Sequence, residues 1–255
     1  MSSNATANPA NQPSNAFFAA CGIEPGMRVL DIGCGTGELS RTIARLVGEN
    51  GEVVGIDRDT GALNKAGEAS GTVESAPIAY RNTDLSGELP DIGTFDAIVG
   101  RRVLMYLPDA EQTLRRLTRL TRPNAVMAFQ EHGRANLPAS AIELPVHRRL
   151  YDWVWDTVAA EGGDVCLAFK LSGLLRTLKA SAIQERVEGI VLSPNTPSFL
   201  PTLAKLMWPR FVESGIIGVG DMQIDSFSAQ IEKERDAISG PIVWDLAFLV
   251  SARIN

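Results

Sequence analysis

Three glycines at every second position, Gly33, Gly35 and Gly37, follow a short apolar run that contains Asp31. Glycine has no side chain, so it allows the backbone to turn tightly and to come close to a ligand. An acidic residue just before such a turn does not suit a pyrophosphate. It does suit a ligand that has a positively charged portion and no phosphate. The spacing therefore predicts a binding crevice for a ligand of that kind.

The residues around this turn indicate the elements that position it. The preceding residues, Val29–Ile32, are mostly apolar and β-branched, which is typical of a buried parallel strand. From Glu38 the pattern becomes helical, and Leu39 and Ile43 recur on one face. A strand, a glycine-rich turn and a helix N-terminus together form a nucleotide-binding crevice.

The string Val29–Gly37 resembles the first motif of class I S-adenosylmethionine-dependent methyltransferases, and Phe95–Gly100 resembles their fourth motif. The resemblance implies an α/β fold with a Rossmann-like, seven-stranded, mostly parallel sheet, an antiparallel last strand and helices on both faces. It implies S-adenosylmethionine as cofactor, with Cys34 and Thr36 beside the three glycines in the binding loop. The likeness is strong from Arg28 to Glu131, and its best match is the ubiquinone- and natural-product-type group.

Asp57 ends the predicted second strand, which covers Glu52 to Ile56. A carboxylate at the carboxyl end of this strand can accept hydrogen bonds from both ribose hydroxyls. The alternative is a helix N-cap, but Asp59 is available for that role. We include the neighbouring Arg58 in the predicted cofactor site.

The third strand, Ile78 to Arg81, leads to Asp84 and Leu85. The resemblance places the adenine edge here, with Asp84 receiving the exocyclic amine and Leu85 packing near the ring. Asp also favours turns, and Ser86 follows, so a purely structural turn is the alternative.

The fourth strand ends in Arg101 and Arg102, and Tyr106 follows shortly after. Because the ends of parallel strands line the crevice, one arginine is expected to contact the cofactor carboxylate or the substrate, a surface role being the alternative. We include both arginines in the cofactor site. Tyr106 is a candidate wall of the acceptor site, with core packing as the alternative.

A base is useful when the methyl acceptor is a hydroxyl or an ammonium group. The sequence has two histidines. His132 follows the predicted fifth strand, Asn124 to Gln130, and so points into the crevice. It is the first candidate base, although it could merely hydrogen-bond its loop. His147, in the predicted helix from about Ala139 to Ala160, is the second.

Motifs that are absent from the sequence restrict the range of possible methyl acceptors. After the fourth strand there is no Asp/Asn-Pro-Pro-aromatic motif of amino-group methylation, and the chain has no Pro-Cys nucleophile of cytosine methylation. We see no acidic cluster fit for Mg²⁺ and predict no metal. These patterns favour methyl transfer to the oxygen, nitrogen or carbon of a small organic acceptor. The alternatives are a cofactor-binding protein that catalyses a non-methylating reaction or regulates, and an NAD-dependent oxidoreductase.

Composition and charge suggest the partners. The formal net charge of the 255-residue chain is −6, so nothing favours nucleic acid as partner. The three cysteines have neither metal-ligand spacing nor an even number for disulfides, which suits a reducing cytoplasm. No apolar run approaches the ~18 residues of a membrane span. The sequence predicts a cytoplasmic monomer or homodimer with a small-molecule acceptor.

The sequence predicts one methyltransferase domain over residues 16–255, preceded by a disordered tail over residues 1–15. A helix is predicted over Leu171 to Leu178, a sixth strand over Ile183 to Leu192 and a seventh over Ile242 to Ile254. Between the last two strands, about 196–240, lies an insertion too long for a hairpin loop. Its apolar spacing predicts two helices that form a cap over the acceptor.

Overall fold

The structure is a computed structural model that describes residues 11–69, 75–194, 197–218, 220 and 223–255. Strands and helices alternate along most of the chain. The strands are β1 (Arg28–Ile32), β2 (Glu52–Asp57), β3 (Ile78–Asn82), β4 (Phe95–Arg101), β5 (Thr121–Glu131), β6 (Ser181–Leu192) and β7 (Ile242–Ile254). The helices are α1 (Gln12–Ala20), α2 (Glu38–Val47), α3 (Thr60–Glu68), α4 (Ala110–Leu117), α5 (Pro145–Ala160), α6 (Leu167–Thr177), α7 (Leu200–Glu213) and α8 (Ile224–Asp236). Short 3-10 helices cover Leu104–Tyr106 and Thr118–Leu120.

The strands pair into one seven-stranded sheet in the order β3-β2-β1-β4-β5-β7-β6. β1 pairs in parallel with β2 and β4, and β4 pairs in parallel with β5. β7 lies between β5 and β6 and runs antiparallel to both. This arrangement confirms the predicted fold class, including the antiparallel last strand. It also brings the carboxyl ends of β1, β2, β4 and β5 to one edge, where the predicted site residues follow them.

Side chains of the central strands point alternately to two apolar cores, one on each face of the sheet. Leu30 and Ile32 of β1 belong to the larger core, with α4 to α8. Val29 belongs to the smaller core, with α1 and α2. The mostly apolar sequence of β1 therefore reflects burial on both faces.

Two helices differ from the sequence expectation. α5 begins at Pro145 and not near Ala139, because Ala139 pairs its backbone N–H and C=O with Val243 of β7. Proline fits the first helical turn, where its missing N–H has no intrahelical partner to lose. α1 begins at Gln12, inside the segment 1–15 that we expected to be a disordered tail, and its Ser14 is fully buried. The first ten residues of that expected tail lie outside the described residues.

Two helices, α7 and α8, occupy the insertion between β6 and β7, and they pack on each other and on α5. Positions 196, 219, 221 and 222 of this insertion lie outside the described residues. Among the helices that the structure describes, none combines the length and apolar character needed to cross a membrane.

Candidate active site

The glycine loop between β1 and α2 is built by three left-handed residues, with φ of 59° at Gly33, 52° at Gly35 and 75° at Gly37. A Cβ at Gly33 would lie 2.4 Å from a methyl group of Val103, and a Cβ at Gly37 would lie 2.2 Å from the Tyr80 hydroxyl. A Cβ at Gly35 would have nothing within 4 Å. The first and third glycines are thus required by packing, whereas the second leaves open space above the loop.

Asp31 is fully buried at the end of β1. Its Oδ2 accepts a hydrogen bond of 2.5 Å from the hydroxyl of Ser40, but its Oδ1 is buried without a partner among the described residues. Burial raises the pKa of Asp31 to about 7. An unpartnered buried carboxylate oxygen is costly unless a donor or cation meets it. A bound ammonium group would satisfy that oxygen.

Asp31 lines a cavity of about 370 Å³ above the glycine loop, which we call the loop cavity. Cys34, Thr36, Glu38 and Arg101 also line it. Burial, together with the charges of Asp31 and Asp57, raises the pKa of the Cys34 thiol. This cysteine is therefore a packing residue of the loop and not a thiolate.

Asp57 at the end of β2 connects that strand to the glycine loop. Its Oδ2 accepts from the backbone N–H of Gly35 at 2.8 Å, and its Oδ1 accepts from the N–H of Asp59 at 2.9 Å. Asp59 caps α3 by accepting from Gly61 and Ala62. The two acidic residues thus have separate roles in the structure, and the capping role falls to Asp59.

Asp57 opens into a second cavity of about 170 Å³, the Asp57 cavity, which Arg58, Asp84 and Leu85 also line. Leu85 is buried, whereas Asp84 is exposed and accepts from the N–H of Ser86 at 2.8 Å. Hydrogen bonds from Ser86 lower the pKa of Asp84, which keeps it a carboxylate. The structure therefore groups the residues predicted for ribose and adenine around one cavity.

The segment after β4 is held by Glu131, which is fully buried at the end of β5. Its Oε1 accepts from the N–H groups of Val103 and Leu104 at 3.0 and 2.9 Å. Burial raises the pKa of Glu131 to about 7, and its Oε2 has no partner in the described part of the chain. These bonds fix the short helix that carries Tyr106.

His132 follows β5 and is 5 % exposed. Its Nδ1 lies 2.7 Å from Oδ2 of Asp245 on β7, and its Nε2 lies 3.1 Å from Nε2 of Gln130. An amide NH₂ only donates, so Nε2 of His132 accepts and Nδ1 carries the proton that Asp245 receives. The oxygen of the Gln130 side chain accepts from the Ser14 hydroxyl of α1. This chain of bonds assigns the proton to Nδ1 of His132 and leaves the lone pair on Nε2.

His132 and Asp245 line a third cavity of about 150 Å³, which we call the His132 cavity. Its other walls are mainly apolar and come from the segment after β4, from α5, β6 and β7, and from α7 with the residue that precedes it. They are Arg102, Met105, Tyr106, Val154, Trp155, Val158, Ile190, Phe199, Leu203, Met207 and Trp244. Arg102 and Tyr106 also line the Asp57 cavity and the loop cavity. These two residues therefore stand where the three cavities adjoin.

His147 does not line any of these three cavities. It is fully buried at the start of α5, with Nδ1 2.6 Å from Oε2 of Glu234 on α8. The same carboxylate accepts from the N–H groups of Val146 and His147. The structure thus ties His147 to the packing of α5 on α8, and it is not among the residues that line the three cavities.

Three residues of the His132 network escaped the sequence analysis: Ser14, Gln130 and Asp245. In the sequence, Ser14 falls within the expected tail and Gln130 marks the end of the predicted fifth strand. Asp245 interrupts an otherwise apolar stretch of β7, and that interruption was the available signal. A partly buried acid within such a strand usually has a partner.

Comparison with known proteins agrees with this geometry. Residues 23–174 match the family model described as a methyltransferase domain. The chain is 36 % identical over 117 residues to the 2-phytyl-1,4-naphtoquinone methyltransferase of Synechococcus elongatus, covering 45 % of this chain and 50 % of that protein. It is 29 % identical over 118 residues to the demethylmenaquinone methyltransferase of Staphylococcus aureus, covering 46 % of this chain and 48 % of that one. The chain thus spans about half the length of the curated relatives it matches.

The fold has counterparts among solved structures. A cyclopropane-fatty-acyl-phospholipid synthase-like protein from Lactobacillus casei superimposes with a TM-score of 0.61 and 16 % identity, over 96 % of this chain and 91 % of that one. The family model covers the glycine loop, the carboxyl end of β2 and the segment after β4. The chain therefore belongs to the methyltransferase domain family, in its class I, S-adenosylmethionine-dependent group.

Proposed function

We propose that this protein transfers a methyl group from S-adenosylmethionine to a small, largely apolar organic acceptor. The observation that carries the proposal is the His132 cavity, an apolar pocket that adjoins the loop and Asp57 cavities through Arg102 and Tyr106. A cavity of this volume accommodates a single aromatic ring, as a benzene-binding cavity of ~150 Å³ does. The quinone acceptors named for the two curated relatives share the apolar character of this pocket.

The residues of the two polar cavities fit the cofactor. Asp31 offers a buried, unpartnered oxygen to an ammonium group, and the backbone at Gly35 leaves open space where a ligand can approach. We assign Asp57 to the ribose hydroxyls and Asp84 with Leu85 to the adenine, and the cavity that these residues share supports the assignment. Arg101, paired with Glu38 at 3.2 Å, lies in the loop cavity with Asp31. When bound, S-adenosylmethionine supplies a methyl group already activated by its positive sulfur.

The remaining tasks fall to the chain's own side chains. Apolar walls exclude water and align the acceptor, and displacement at an activated methyl group needs chiefly that alignment. His132 accepts a proton at Nε2, where a bound acceptor would replace Gln130 as hydrogen-bond donor. Asp245 receives the Nδ1 proton and stabilises the imidazolium that results. Tyr106 closes the pocket between cofactor and acceptor.

The proposal includes a cytoplasmic location and no nucleic-acid partner. The net charge of −6 and the free thiols of Cys21, Cys34 and Cys166 support it. As a monomer or a homodimer, the protein would carry all the site residues named here within one chain.

Methyl-labelled turnover tests the proposed reaction. The protein is incubated with methyl-labelled S-adenosylmethionine and, separately, phenol, benzohydroquinone, naphthohydroquinone and hexylamine. We expect label in a hydroxylated aromatic acceptor. Tight cofactor binding with no labelled product from any acceptor would instead favour a non-methylating reaction. Calorimetry in which NAD binds more tightly than S-adenosylmethionine would favour an oxidoreductase.

Truncation of Asp57 tests the ribose contact. Asp57→Ala should weaken cofactor binding by ~2–4 kcal/mol, because hydrogen bonds to a charged group contribute ~1.5–3 kcal/mol each. Asp59→Ala is the matched control, since it removes a neighbouring carboxylate that caps α3. It should cost ~1 kcal/mol of folding stability and leave affinity within ~0.5 kcal/mol. Calorimetry and thermal melting distinguish the two, and the opposite pattern would assign ribose binding to Asp59.

A further inference from the structure

Arg102 differs from its neighbour Arg101 in the cavities it reaches and in its partners. Arg101 lines only the loop cavity among the three and forms an ion pair with Glu38. Arg102 lines all three cavities, including the apolar one that contains His132. The two adjacent guanidinium groups are therefore not equivalent.

The charge of Arg102 has no acidic partner in the part of the chain that the structure describes. Its Nη2 donates to the neutral Oδ1 of Asn11 at 2.8 Å. Glu38 and Glu131 interact with this charge only through longer-range electrostatics. Burial and the positive charge of Arg101 lower the pKa of Arg102. Partly buried cations are usually paired, because desolvation is costly. A guanidinium that faces a cavity and forms no ion pair with a carboxylate of the described residues is suited to bind an anionic oxygen.

The backbone of Arg102 is also strained. Its φ of 58° lies in the left-handed region, which costs a non-glycine residue ~1–3 kcal/mol. The N–H of Arg102 donates to the backbone oxygen of Gln130 at 2.8 Å, which holds this conformation. The side chain of Gln130 contacts Nε2 of His132. Gln130 thus positions both the guanidinium of Arg102 and the imidazole of His132 at the same cavity. Glycine in place of Arg102 would relieve the backbone strain but would remove the cation.

We propose that Arg102 binds an ionised oxygen of the acceptor, so that the acceptor belongs to the class of phenols, enols and hydroquinones. This inference rests on the proposed function. The acceptor O–H bond breaks, the proton moves to Nε2 of His132, and the electron pair stays on the oxygen. The oxyanion is then paired with Arg102, and the imidazolium with Asp245. The charge on the oxygen activates either that oxygen or the ring carbon beside it for methylation.

The test uses 4-nitrophenol, which titrates near neutral pH and absorbs visible light only as phenolate. Titrations are made with the full chain saturated with S-adenosylhomocysteine, so that no methyl group is transferred. Wild-type protein should bind the phenolate more tightly than 4-nitroanisole, and bound 4-nitrophenol should ionise at lower pH than free 4-nitrophenol. Arg102→Gln should weaken phenolate binding by about 10- to 100-fold and leave 4-nitroanisole binding unchanged.

Two further variants serve as controls. Arg119→Gln removes the same charge from an exposed position in the 3-10 helix before β5, at the opposite end of the sheet, and should bind phenolate like wild type. Arg102→Lys keeps the cation and should retain part of the phenolate preference. Thermal melting establishes that each variant is folded. If Arg102→Gln does not fold, Arg102→Lys provides the test. A phenolate preference that is the same as in the wild type, or completely lost, in Arg102→Lys would then contradict the inference.

Other results would overturn the assignment. Unchanged phenolate binding in folded Arg102→Gln would remove Arg102 from an anion site. If this variant instead binds S-adenosylhomocysteine weakly but 5′-methylthioadenosine normally, Arg102 holds the cofactor carboxylate. Arg102-dependent phenolate binding without methyl transfer to any acceptor would contradict the proposed function and leave the role of Arg102 intact.

Discussion

Replacing Gly35 with valine is expected to abolish measurable binding of S-adenosylmethionine. A Cβ at this position meets no protein atom within 4 Å, and Gly35 lines the loop cavity. The added side chain would therefore occupy the ligand's space and not disturb the packing of the loop. Gly35→Ala should bind with intermediate affinity, because it adds the smallest side chain. Calorimetry with S-adenosylmethionine and S-adenosylhomocysteine measures both effects.

Gly48 provides a matched control for the backbone strain. Its φ is 64°, a Cβ there would also have nothing within 4 Å, and it lies just beyond the C-terminus of α2. Gly48→Val should therefore also be strained by a positive φ, lower the melting temperature and leave cofactor affinity unchanged. A folded Gly35→Val protein that binds the cofactor like wild type would show that the ligand does not approach the loop at Gly35.

Replacing His132 with alanine is expected to lower turnover by roughly 10²–10⁴-fold at saturating cofactor. The reason is the loss of the proton acceptor that Asp245 orients. Cofactor affinity should hardly change, because His132 lines the His132 cavity and neither of the two cavities that we assign to the cofactor. A fall in turnover without a change in cofactor affinity identifies a group that acts in the chemical step. Steady-state kinetics and cofactor calorimetry separate the two quantities.

The pH–rate profile adds a second readout. Asp31 and Glu131 each have a pKa raised to about 7, so only the limb that disappears in His132 variants is assigned to His132. His132→Gln keeps a hydrogen bond without a base and should lose that limb as well. If His132 merely positions the acceptor, the acceptor KM should rise and the limb should survive.

His147→Gln compares the other histidine. Its partner is Glu234 on α8, so the expected loss is in melting temperature and not in turnover. Full activity in both His132 variants would exclude His132 from the site. Tyr106 and Arg102 would then be the next residues to replace.

The cofactor side of the site could be predicted because its residues follow strand ends in a local pattern. Asp31, the three glycines and Asp57 each stand next to a strand whose apolar run is visible in the sequence, and parallel pairing brings those ends together. Their roles in binding remain predictions. The seven-stranded sheet and its antiparallel last strand followed from the family resemblance and are confirmed.

The acceptor side could not be predicted in the same way. His132 was found because it follows β5, but its partner Asp245 lies 113 residues further along the chain. That pairing depends on β7 entering the sheet between β5 and β6, and no local pattern specifies it. Ser14 reaches Gln130 from α1 across 116 residues, so it too depends on the tertiary fold. Contacts of this kind are set by packing and not by periodicity.

The position of β7 also determines when the site is completed during synthesis on the ribosome. The residues assigned to the cofactor emerge well before Asp245, which meets His132 only after β7 has paired with β5 and β6. Pairings this distant form slowly, because closing the intervening chain costs entropy before the contacts repay it. A nascent chain therefore gains its glycine loop first and the acidic partner of its histidine last. The proton transfer that we propose for His132 is thereby tied to closure of the complete sheet.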